Sequence, residues 1–116
     1  MNWTAVAAIL LALAVAIGAF GAHGLRGKID DYSMSIYERA VFYHFVHALG
    51  LLIVSLMPRP SSAVAWLLVA GIVLFSGSLY VLAVTGVRIL GAVTPFGGVS
   101  FIAAWVLLAW SAMRKS

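Results

Sequence analysis

Four apolar runs alternate with three polar or Pro/Gly-rich breaks along the 116 residues. Residues 3–22 are nearly pure Ala, Val, Leu, Ile and Phe, and residues 28–35 (KIDDYSMS) form the most polar stretch of the chain. A second apolar run extends to Met57 and stops at Pro58-Arg59-Pro60-Ser61-Ser62. The third, 63–85, ends at Gly86-Val87-Arg88; a short apolar piece, 89–93, then leads into Thr94-Pro95 and the fourth run. About 20 apolar residues cross a bilayer core as a helix. The pattern therefore predicts an all-α polytopic membrane protein, with helices at about 3–22, 36–57, 63–85 and 95–113. Short connections make successive helices antiparallel, so the four form one up-down transmembrane bundle, a single domain over 1–116.

The breaks carry their own chemistry. Gly21, Gly24 and Gly27 can take positive φ and end helix one. Pro cannot continue a helix, which fixes the second turn. Asp30 and Asp31 read as loop and cap, because adjacent helical residues point about 100° apart and share a metal poorly. Ser35-x-x-Glu38 has capping-box spacing. Thr94 suits an N-cap and Pro95 a first helical position, which leaves 89–93 at the membrane interface. A cleaved signal peptide would want a positive start and a shorter apolar core; Met1 to Thr4 holds no Lys or Arg, so helix one is expected to be retained.

Composition sharpens the membrane reading. The chain is 65% hydrophobic and 9% charged, with mean hydropathy +1.14, against roughly 25% charge in a soluble domain. Its surface must lie in lipid. There is no cysteine, hence no thiolate nucleophile, thiolate metal site or disulfide. The net charge of +4 is spread along the chain rather than gathered on one face, which excludes nucleic acid as a partner. With four spans, Arg59, Arg114 and Lys115 share one side, and Arg26, Lys28, Arg88 and Arg39 the other. Reading Arg26 and Arg39 as engaged in the helix-two site places both termini in the cytoplasm. Small residues recur at Ala14, Gly18 and Ala22, and the pairs Gly71/Ser78 and Ala70/Gly77 share faces of helix three. Such ridges permit close helix approach and suggest a homo-oligomer.

Residues 37–52 (YERAVFYHFVHALGLL) place ionisable groups inside an apolar span. Arg39, Tyr43 and His47 follow one another at four-residue spacing on one stripe, with Tyr37 and His44 along its edge. Buried polar groups are costly in a membrane, face a protein interior and often mark a site. His23 at the exit of helix one, and Ser76 and Tyr80 on helix three, are the groups able to meet them. The expected interior cluster is His23, Arg39, Tyr43, His44, His47, Ser76 and Tyr80.

Four segments also read together: GAFGAHGL (18–25), YxxAxxYHFVHALGLL (37–52), FSGSLY (75–80) and LGAVTPFGG (90–98). In this order they resemble the small bacterial membrane-protein family called domain of unknown function 423, itself similar to a eukaryotic four-span mitochondrial group. The resemblance covers nearly the whole chain. It implies four helices and an inner-membrane location, carries over no catalytic residue, and maps its signature onto Gly21, His23, Gly24, Tyr43, His44, His47, Ser76, Gly77, Tyr80, Thr94, Pro95 and Gly97.

Four readings of the histidines compete. Neutral imidazoles can hydrogen-bond across helices as structural glue. They can serve a proton-linked or polar small-molecule pathway with Arg39 and Tyr43. His23, His44 and His47 can ligate zinc, copper or haem, although the spans hold no carboxylate or thiolate to neutralise a metal. An enzyme is disfavoured, since no catalytic residue set with sensible spacing is present. The first reading leads, with no cofactor expected.

Overall fold

The computed structural model describes residues 1–114. It is all-helical, 50 × 26 × 20 Å, with four long helical segments. Helix α1 runs Trp3–Phe20 and continues as a π-helical turn, Gly21–Leu25. Helix α2 is Asp31–Ser55. Helix α3 comprises Ser62–Gly71, a π segment Ile72–Gly77 and Ser78–Thr85. A 3₁₀ turn, Arg88–Ala92, precedes α4, Thr94–Arg114.

The termini differ from expectation for local reasons. Helix α1 does not stop at Ala22: its glycines widen the helix into a π turn, and the chain turns only at Gly27, φ +86°. Helix α2 begins five residues earlier than the expected Ile36, because the Asp30 carboxylate caps it, accepting from the Ser33 N–H at 2.7 Å. The Ser35/Glu38 capping box does not form. Ser35 donates to the Tyr32 carbonyl, and Glu38 pairs with Arg26. The Ser33 backbone N–H, aided by the Ser33 side chain, holds the Asp30 carboxyl below its usual range. This cap is present above the ordinary carboxylate pKa and is lost as pH falls through the lowered value. Helix α3 is capped by Ser61 and closed by Gly86 in the left-handed region. Thr94 does not cap α4: it lies within the helix, and its hydroxyl turns to Ser78.

Among the described residues, three stretches are long and apolar enough to cross a membrane: Trp3–Leu25, Ser62–Thr85 and Arg88–Arg114. Helix α2 is long enough but carries Glu38, Arg39, His44 and His47. Successive helices run antiparallel. The Thr4 and Ser55 hydroxyls meet at 2.9 Å at one end of α1 and α2, and Tyr37 reaches Ile17 near the other. Ser76 of α3 bonds Ala40 of α2, and Ser100 of α4 bonds Leu67 of α3.

Small residues set how closely the helices pack. Ala7 and Ala14 of α1 have no exposed surface, and Gly18 lies against Val41 of α2. The ridge expected to serve self-association is therefore spent partly inside the chain, with Ala22 exposed. Gly50 receives the Trp105 ring, Gly71 the Phe101 ring and Gly21 the Tyr37 ring. Gly97 is the least forgiving case, because its neighbour is main chain: a Cβ there would stand 2.3 Å from the Phe75 nitrogen. Two apolar cores result, one around Leu51, Val54, Leu68 and Phe101, the other around Tyr37, Ala40, Leu79 and Ala83. The outer surface is apolar as well, with Ile9, Phe42, Val46, Ile53, Val73 and Ile102 exposed.

Gly97→Ala should lower stability by about 1–3 kcal/mol, the usual cost of overpacking, in thermal unfolding in mild detergent. Gly91→Ala, with nothing within 4 Å of the added carbon, is the control. Equal stability of the two variants would show that α3 and α4 can separate freely at this crossing.

Candidate functional site

Helix α2 supplies the interior polar groups, and the neighbouring helices supply their partners. His44 and His47 are 3% and 6% exposed. They lie about 20 and 24 Å along α2 from Asp31 at 1.5 Å per residue, near mid-length. The His44 Nδ1 and the Tyr80 hydroxyl of α3 are 2.7 Å apart. The Tyr80 ring tilts against that of Tyr37 at 5.4 Å, and Tyr37 donates its hydroxyl to the Ile17 carbonyl of α1 at 2.5 Å. One chain of contacts thus links α3, α2 and α1.

The second imidazole is held differently. His47 Nδ1 lies 2.8 Å from the Tyr43 carbonyl, which can only accept. Nδ1 therefore carries the proton, leaving Nε2 as an acceptor in the neutral ring. The ring stacks on Phe101 of α4 at 3.5 Å and 13°. Tyr43 lies parallel to it at 5.9 Å, and Trp105 closes the other flank at 5.8 Å. The glycines at 50 and 71 make room for the Trp105 and Phe101 rings.

Helix α3 contributes its hydroxyls at the π segment. A π turn is wider than an α turn and often occurs at functional sites. Here it coincides with Ser76, fully buried, whose hydroxyl donates to the Ala40 carbonyl of α2 at 2.8 Å. Just beyond it, the Ser78 hydroxyl lies 3.0 Å from the Phe75 carbonyl and 2.6 Å from the Thr94 hydroxyl, which itself reaches the Leu90 carbonyl at 3.4 Å. Ser76 bonds across helices rather than back along its own.

One atom stands out. His44 Nε2 is buried and makes no hydrogen bond. In the neutral ring Nε2 carries the proton when Tyr80 donates to Nδ1, and is a bare acceptor when Nδ1 donates to Tyr80.

Of the expected members, the structure pairs His44 with Tyr80, stacks Tyr43 on His47 and sets Ser76 against the Ala40 carbonyl, and it leaves out two. His23 is exposed in the π turn at the end of α1, and Arg39 is exposed on α2. No hydrogen bond or ion pair ties either one to the cluster. Arg26 pairs with Glu38 at 3.2 Å, both well exposed, which contributes about 0–1 kcal/mol. The candidate metal ligands are therefore not gathered, and among the described residues no three His, Asp or Glu side chains come together. Sequence reasoning missed Phe75, Phe101 and Trp105, the aromatic walls around Tyr43 and His47. Their signal was Gly50, Gly71 and Gly97, which lie against Trp105, Phe101 and Phe75.

A family model described as "Protein of unknown function (DUF423)" matches residues 17–98, the stretch from the first π turn through the Gly97 crossing. The chain belongs to this family. It is similar to the UPF0382 membrane protein YwdK of Bacillus subtilis, 50% identical over 113 residues and 92% of each chain. It is also similar to the UPF0382 membrane protein SH2409 of Staphylococcus haemolyticus, 49% identical over 92% of this chain and 91% of the relative. A third relative, the UPF0382 membrane protein SERP0230 of Staphylococcus epidermidis, is 53% identical over 88% of this chain and 87% of its own. No solved structure matches.

Tyr80→Phe leaves both nitrogens of His44 without a side-chain partner and should cost about 1–3 kcal/mol, the penalty of an orphaned buried polar group. Tyr32→Phe, at a 75% exposed phenol on α2, should change nothing measurable. Chemical unfolding in detergent separates the two, and a Tyr80 variant as stable as wild type would mean His44 does not depend on the phenol.

Proposed function

We propose that this chain is a four-span, multi-pass protein of the bacterial plasma (inner) membrane, with a structural or accessory role, whose interior His/Tyr/Ser cluster locks the helices together. The observation that carries this reading is the direction of the interior hydrogen bonds. Ser76–Ala40, Ser78–Thr94, His44–Tyr80, Tyr37–Ile17 and Ser100–Leu67 each join two helices. In hydrocarbon such bonds contribute about 0.6 kcal/mol each on average. The cavities at Arg59 and Arg114, at Arg26 and Glu38, and at Tyr32 and Arg88 are lined by neither His44 nor His47.

Helix α2 is the fourth span in this reading. Its charged head, through Arg39, sits at the headgroup level. Residues 40–55 hold no charged side chain apart from any protonated histidine and extend about 24 Å, with α1 and α3 taking up their polar groups. Both termini and the Arg59 turn face the cytoplasm. Arg39 no longer supports that orientation, being exposed rather than engaged; the support is Arg59 and Arg114 meeting at one end. A homo-oligomer would have to form through the outward apolar faces.

A second reading, proton-linked transport, rests on the unpaired His44 Nε2. Metal or haem binding has less support, since His23 stands apart. The experiment is His44→Ala and His47→Ala, with thermal stability measured in detergent and proton flux in proteoliposomes. The structural reading expects lowered stability and no flux above empty vesicles for any form, wild type included. Proton flux in wild type that His44→Ala abolishes would replace it with the second reading.

A further inference from the structure

Among the described residues, the end of the molecule opposite the Asp30–Glu38 acids carries Arg59 and Arg114 and no acidic side chain. Every acidic residue of the chain, Asp30, Asp31 and Glu38, lies in or beside the first third of α2. Among the described residues the ion pair is Arg26–Glu38, at that same end. Arg59, in the turn after α2, and Arg114, in the last turn of α4, instead line one open cavity of about 260 Å³. The Ser61 hydroxyl edges it, and Met57, Leu108 and Ala112 give it an apolar wall. Ser61 spends its oxygen lone pair on the Val64 N–H, so its own O–H stays available to donate into the cavity.

The same end holds Trp3, Trp66 and Trp110. Trp3 and Trp66 meet edge to face at 5.0 Å where α1 and α3 begin, and Trp110 lies about one turn before the end of α4. Trp66 and Trp110 are more than half exposed. Exposed indoles of this kind settle at the boundary between headgroups and acyl chains. The cavity therefore stands at the headgroup level.

We infer that the Arg59/Arg114 cavity is a binding site for the phosphate of an anionic phospholipid. Two guanidinium forks can take phosphate oxygens in pairs, the Ser61 hydroxyl adds a donor, and the apolar wall takes the first methylenes of the acyl chains. A free anion would leave that wall uncovered, and a zwitterionic lipid would bring its own cation against the arginines. The anionic leaflet of a bacterial membrane supplies the ligand and holds this end of the chain at its surface. The inference rests on the membrane-spanning reading above.

The test is native mass spectrometry of the full chain in mild detergent, titrated with phosphatidylglycerol, with phosphatidylcholine, and with inorganic phosphate. The variants are Arg59→Gln, Arg114→Gln, their double, and Arg88→Gln at the other end. Wild type should retain phosphatidylglycerol at least about tenfold more tightly than phosphatidylcholine, and the double variant should lose that preference, as expected for two charge-assisted pairs. Arg88→Gln should keep it. Equal retention of both lipids by wild type, or an unchanged preference in the double variant, overturns the site. Inorganic phosphate displacing phosphatidylglycerol at equal concentration would make it a free-phosphate site and also overturn the proposal. If the double variant fails to fold, Arg59→Lys with Arg114→Lys keeps the charges and removes the forks, and should weaken retention part-way. Flotation with phosphatidylcholine vesicles separates the two failures. After an alkaline wash, a chain that does not span the bilayer is stripped from the vesicles in every form, whereas a wrong lipid site leaves flotation intact.

Discussion

A polar atom at membrane depth has no water to pair with, so it must find its partner inside the chain. Helix α2 carries the two buried histidines of this chain, and the positions of the other helices follow from that. Its Ala40 carbonyl takes the Ser76 hydroxyl, His44 meets Tyr80, and Tyr37 reaches back to α1. What α2 loses in hydropathy it recovers in interhelical bonds, and the other three helices, apolar enough to cross a membrane by composition, pack on its polar face and leave Phe42, Val46, Leu49 and Ile53 outward.

That packing needs close approach, which the glycines and π segments supply. Gly97 lets α4 touch the main chain of α3 beside Phe75, and Gly71 and Gly50 admit Phe101 and Trp105. These rings pack around His47 and Tyr43. An aromatic face against an imidazole keeps water away while the ring's one donor is spent on the Tyr43 carbonyl. The π segment of α3 spans Ser76, so its irregular turn and its cross-helix hydroxyl occupy the same point. Among the described residues, His44 Nε2 is the fully buried side-chain nitrogen left unpaired.

The helices were legible because hydrophobic runs and Pro/Gly breaks act locally. The turn at Pro58–Pro60 and the stop at Gly86 needed no tertiary information. The start of α2 was missed because two acids and two serines offered competing caps, and only the folded chain shows that Asp30 binds Ser33 while Glu38 is drawn to Arg26. The π turn at Gly21–Leu25 was misread as a stop, since glycines that end a helix and glycines that let a ring approach look alike in sequence. In the site, helical spacing put Tyr43 one turn below His47, and these two rings stack, whereas His44 turns to Tyr80 of α3. The spacing wrongly added Arg39, because four-residue steps drift around a helix of 3.6 residues per turn. It wrongly added His23, whose place depends on how far α1 continues. The aromatic walls were invisible to a search for polar chemistry.

The central claim is that α2 crosses the bilayer with its histidines turned inward. The chain has no cysteine, so single cysteines can be placed along α2, spin-labelled in lipid bilayers, and read by collision with oxygen, which collects in hydrocarbon, and with a water-soluble nickel complex. The account predicts oxygen maxima at Phe42, Val46, Leu49 and Ile53, minima at Ala40, Ala48 and Leu51, and little nickel access between them. Oxygen maxima at positions 44 and 47, or nickel access along the whole helix, would contradict it.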